Sequence, residues 1–135
     1  MRAGGINWLA VLAAAVVIYA IGFVIFGFLV PAEWWMTASG ISAAEMERVG
    51  STRMPFGVVM PIMTAVFLAV LFKLGRVADA WTGMKWAAVV ALASAIPTVL
   101  YGWVYGVEPF DMTLIDGGHL LLGHVAAGAV LGRWR

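Results

Sequence analysis

IDGGHLLLGHVAAGAVLG, Ile115 to Gly132, sets one aspartate and both histidines of the chain among aliphatic residues and glycine. Extended to 114–132, the run is long enough to cross a hydrocarbon core about 30 Å thick as a helix rising 1.5 Å per residue. Three further apolar runs precede it, at about 6–30, 54–72 and 83–105. Helices suit all four, because backbone polar groups cannot stay unpaired in lipid. No strand is read. The expectation is an all-α, integral membrane four-helix bundle, with residues 1–135 forming a single transmembrane domain.

Composition points the same way. Apolar residues make up 64% of the 135 and charged ones 11%, against about 45–50% and about 25% in soluble domains. Fifteen charged side chains are too few to cover a small soluble domain, so the excess apolar surface needs lipid or a partner. A net charge of +1 with no basic cluster gives no footprint for nucleic acid. The absence of cysteine excludes disulfides, thiolate catalysis, iron–sulfur clusters and thiolate zinc sites. The first apolar run far exceeds the core of a cleaved signal peptide, so it is expected to stay as an anchor.

Charge chooses an orientation. Arg2, Lys73, Arg76, Lys85, Arg133 and Arg135 flank one side of the spans, and only Arg48 and Arg53 the other. By the positive-inside rule both termini and the loop 75–82 are expected to be cytoplasmic. Trp8, Trp81, Trp86 and Trp134 fall at the inner ends, and Trp34, Trp35 and Trp103 at or near the outer ends. That is the distribution of an aromatic belt.

The outer loop 31–53 is the long one. Ser42-Ala-Ala-Glu45 reads as a capping box opening a short interfacial helix that Gly50 ends. Ile41, Met46 and Val49 would lie on the membrane surface, with Glu45, Glu47 and Arg48 toward water. This helix is a flat connector or, on a sharper reading, a partner-docking surface or a lid over an outer pocket. Pro61 and Pro97 fall inside the second and third spans, where each is expected to bend its helix. Paired breaks also mark transporter sites, but no charge or glycine pair accompanies either one.

Three clusters of residues are candidates for function. Asp116 is read as lying in the first turn of the fourth span, near water and the positive helix end. His119, three residues on, shares its face; with Tyr101 and Tyr105 they form an outer-face polar cluster. Two ligands do not make a metal site, and a third would have to come from Glu108, Asp111 or Glu33; no metal is expected. His124 is read near the midplane, where an ionisable group is costly and suspect. Tyr19, Thr64 and Ser94 fall at similar depth, forming with His124 a mid-membrane polar cluster that acts as helix glue or as a proton or ligand path. His124, Gly128 and Gly132, spaced by four, make a small-residue face for a neighbouring helix within the chain or in a partner. One helix cannot aim His119 and His124 at a single haem iron; a bis-histidine site would need two chains, and single axial or chlorophyll-type ligation by His124 has nothing else in the sequence to support it, so no cofactor is expected. No glycine-flanked serine or phosphate loop stands out.

The chain also carries short motifs: Asn7-Trp8-Leu9-Ala10-Val11, Gly22, Gly40-Ile41-Ser42, Leu114-Ile115-Asp116-Gly117-Gly118 and Gly128-Ala129-Val130-Leu131-Gly132. In these it resembles the bacterial membrane family known as domain of unknown function 1761. The resemblance implies a protein of this length with four spans, and it implies no particular activity. The chain departs from the family pattern after Gly22, where Phe23-Val24-Ile25 replaces an aromatic pair, and at His119, where the family carries aromatics.

Three classes of function fit these readings. The first is a non-catalytic accessory or assembly subunit, bound to other membrane subunits or to itself. The second is a small transporter or proton-linked channel using His124. The third is a membrane enzyme or cofactor carrier with an outer-face site at Asp116 and His119.

Overall fold

The computed structural model describes residues 2–134; Arg135, counted above among the cytoplasmic charges, lies outside them. Seven helices follow in order: α1 Trp8–Val24, α2 Ala32–Ser39, α3 Ala43–Thr52, α4 Val59–Leu74, α5 Ala80–Val90, α6 Ile96–Tyr105 and α7 Phe110–Arg133. They combine into four rods long and apolar enough to cross a membrane, Trp8–Leu29, Met54–Leu74, Ala80–Tyr105 and Phe110–Arg133.

Local chemistry sets the boundaries. Asn7 caps α1, its side-chain oxygen accepting the Leu9 N–H at 3.2 Å. Before it stands a hairpin that the sequence reading lacked: β1 Arg2–Ala3 pairs antiparallel with β2 Ile6–Asn7. Gly4 and Gly5 turn it with φ of 58° and 74°, the two left-handed positions a tight hairpin demands. Asp79 caps α5 by accepting the Thr82 N–H at 2.9 Å, so the third span starts at Ala80 and not near Gly83. Pro109 precedes α7, which starts the fourth span at Phe110. Asp111 therefore occupies its first turn, and Asp116 the second.

The prolines coincide with irregular winding in both spans. Pro61 sits in the first turn of α4, where its missing N–H costs nothing. The irregularity lies just ahead of it, in the tight turn Met54–Val58. Pro97 cannot bond the Ala93 carbonyl, and the helix widens immediately before it, over Ala91–Ala95, with the Ile96 N–H reaching back to Ala91. In the long loop the capping box is present: Ser42 and Glu45 bond reciprocally. However, α3 runs past Gly50, whose φ is not left-handed, and ends ahead of Pro55. α2 is a further helix, closed by Gly40 at φ 66° with the Ile41 N–H donating to Met36.

One end of the bundle is closed. Lys73 Nζ donates to the Gly4 carbonyl at 2.7 Å, and Asn7 Nδ2 to the Trp134 carbonyl at 3.2 Å. Both described chain ends thus meet the end of α4 at this near end. The α4–α5 turn buries Val77, whose N–H bonds Phe72. The core is Ala10, Val11, Ala14, Ala15 and Ile18 of α1, Ala65, Leu68, Ala69 and Phe72 of α4, Ala87 of α5, and Ala127 and Leu131 of α7. Small residues let backbones approach, which is how helices gain contact in lipid. A methyl on Gly128 would lie 2.6 Å from the Ala87 Cβ, and one on Gly132 would meet the Asp79 carbonyl. The glycine face of α7 is thus occupied by α5 of the same chain. This core lies toward the near end; the far end, where α2 and α3 sit, is looser. Such a four-span, all-α molecule, with large apolar side chains such as Phe28, Phe67 and Leu74 on its outside, is an integral membrane bundle.

Candidate functional site

His124 stands fourteen residues from Phe110 and nine from Arg133, about 21 Å and about 14 Å along the helix. It lies between α7 and the α1/α4 pair and is 9% exposed. Its Nδ1 is 2.7 Å from the Leu120 carbonyl. A carbonyl only accepts, so Nδ1 carries the proton and donates.

A cavity of about 260 Å³ opens beside it, lined by Tyr19, Gly22, Met60, Pro61, Thr64, His119 and His124 among others. Tyr19, Thr64 and His124 therefore share one space, as their depths suggested, and His119 joins them. Ser94 does not. It is exposed on the far side of the third span, its hydroxyl donating to its own helix at Val90, 2.7 Å away. A second space of about 350 Å³, lined by Leu71 and Val90 among others, shares Thr64 and His124 with the first.

His119 is held by a gap in α1. A Cβ on Gly22 would stand 2.9 Å from its Nε2. The ring meets Phe26 edge to face, with centroids 5.3 Å apart at 81°. Gly22 and Phe26 belong to the site although neither is ionisable. The signal in the sequence was the one glycine within α1.

The outer-face residues are not gathered. Asp116 lines a third and larger cavity, about 710 Å³, under α2 and α3. Its other walls are Phe26, Ala32, Trp35 and five methionines: Met36, Met46, Met54, Met60 and Met112. Ala32, Trp35, Met36 and Met46 come from the loop helices, so the long loop roofs a pocket. Tyr101 and Tyr105 stack on each other at 5.4 Å, both exposed on α6. Glu108 lies back over Gly102. Among the described residues, no three of His, Asp and Glu gather as metal ligands. The loop acid Glu45 is held below the ordinary carboxylate range by its bonds from Ser42, and Asp79 by the Thr82 N–H.

Spans, roof and cavities define a multi-pass helical membrane protein. The family model described as "Protein of unknown function (DUF1761)" matches residues 9–132, and the chain belongs to that family. No curated protein and no solved structure matches the chain.

Proposed function

We propose that the chain, as one transmembrane domain over 1–135, is a non-catalytic subunit of a larger membrane assembly, built with other subunits or with copies of itself. The near end, with its basic residues, faces the cytoplasm of a bacterial inner membrane, and α2 and α3 face outward. The observation that carries the reading is the outer face of the third span. Only 11% of that span's most apolar stretch is buried, against 33% in the fourth span. Its exposed side bears Ser94, Thr98, Tyr101 and Tyr105, three or four residues apart and so on one face. Each hydroxyl of Ser94 and Thr98 donates one turn back at 2.7 Å, so neither is stranded in lipid. Each oxygen still has acceptor capacity for a donor on a neighbouring helix.

The test is a pull-down in gentle detergent, with mass spectrometry, native mass and an absorption spectrum of the eluate. A stoichiometric partner or a stable multimer is expected, weakened in Ser94→Leu/Thr98→Leu. A colourless, partner-free monomer in lipid nanodiscs would overturn the reading. A second reading, a small transporter or proton-linked channel, draws support from His124 and Thr64, which line two cavities. Proton flux in proteoliposomes that disappears in His124→Leu would favour it.

A further inference from the structure

The cavity under α2 and α3 differs from the other two in size and in charge. At about 710 Å³ it falls in the range of small-molecule pockets, which are mostly apolar with few polar groups. Among the described residues, Asp116 is the one charged side chain in its wall. The residue is half-buried, and its carboxylate has no hydrogen bond or ion pair with any described residue. The charge that acts on it is Glu108, of the same sign. An acid in such surroundings lacks a counter-charge, and removing it from water without one is costly.

The wall supplies no basic side chain, so the counter-charge has to arrive with an occupant. A hard metal ion is a poor candidate, because it wants six or more oxygens and this wall offers one carboxylate. An organic cation with a bulky apolar body suits the whole wall. Its charge meets Asp116. Its body meets methionines, whose unbranched, polarizable chains adapt to irregular shapes. The faces of Trp35 and Phe26 attract cations in their own right.

We infer that this cavity is a binding site for lipophilic organic cations, with Asp116 as counter-ion and Trp35 and Phe26 as aromatic walls. The site is separate from the exposed face of the third span and stands whether or not the chain assembles.

Tetraphenylphosphonium and tetraphenylborate, similar in size and opposite in charge, make the test. Each is titrated by equilibrium dialysis against the whole protein in phosphatidylcholine nanodiscs, with empty discs subtracted. Saturable binding of the phosphonium at one per chain is expected, with no saturable binding of the borate. Asp116→Asn should weaken the phosphonium by at least about tenfold. Asp116→Glu should retain it, and Asp111→Asn, exposed in the first turn of α7, should leave it unchanged. Equal binding of the two ions, no saturable binding, or full retention in Asp116→Asn would overturn the site. If Asp116→Asn does not fold, the comparison of the two ions on the native protein still decides.

Discussion

Gly22 of α1 lies against the imidazole of His119, so close that a Cβ there would stand 2.9 Å from Nε2. The colliding atom is the free end of a rotatable side chain, and a small turn of the ring relieves it. Gly22→Ala is therefore expected to cost about 1 kcal/mol or less, within the range of a rotamer adjustment. It should shift the ring resonances of His119 in histidine-labelled protein. A collapse in Tm in detergent would instead mean that Gly22 sets the spacing of the α1 and α7 backbones.

Gly128 gives the opposite case from the same kind of residue. A methyl there meets the Gly83 backbone and stands 2.6 Å from the Ala87 Cβ, and neither can rotate away. Gly128→Ala should cost about 1–3 kcal/mol, as overpacking does. Gly83→Ala should cost a similar amount, since its own added methyl would meet the Gly128 carbonyl. The double variant should lose less than the sum of the two, because the first methyl already parts the helices. Thermal melts of the four proteins in one detergent check this, and simple additivity would show that the two glycines do not share a contact.

Asp79 ties helix start to pH. The Thr82 N–H holds its carboxyl below the ordinary value of 3.8, so the folded state favours the ionised form. The stabilisation is present above that value and fades as pH falls through the lower folded value. Asp79→Ala should melt earlier than the parent at pH 6, and the gap should begin to narrow as pH falls below about 3.8. Asp79→Asn, which keeps a capping oxygen but not the charge, should melt between Asp79→Ala and the parent at pH 6. A gap that persists undiminished in acid would show that the loss was not of the charged cap.

How much of this was open to sequence depended on what fixes each feature. The four rods were legible because lipid permits no unpaired backbone, and length and apolarity then suffice. The depths of Tyr19, Thr64 and His124 followed from counting residues, and they do share a cavity. The direction in which a side chain points follows from how the helix is wound, and there counting failed. Ser94 lies within the wide turn Ala91–Ala95. One residue more per turn there changes the rotation of everything after it. That turn separates Ser94 from His124 and leaves Thr98, Tyr101 and Tyr105 on the outside. The hairpin Arg2–Asn7 was invisible because two residues per strand carry no period. α2 is too short and too mixed in character to show a clear periodic face. The roofed cavity depends on both loop helices being seated, so it emerges only in three dimensions.

His124 separates glue from chemistry. Its one bond runs from Nδ1 to a carbonyl of its own helix, Leu120 at 2.7 Å. That oxygen already accepts in the helix ladder, so losing the imidazole orphans no group. Leucine has a similar volume and adds apolar contact with Met63, Thr64 and Phe67 across the neighbouring space. His124→Leu should therefore change stability by less than about 1 kcal/mol, since both partners of a modest bond are dispensable here. Because His124 faces internal space and not the exposed side of the third span, the variant should also leave any assembly intact. Tm in detergent and native mass check both points. A large drop in Tm would show that Nε2 holds a partner across the cavity, and a change in mass with Tm held would place the subunit interface on α7.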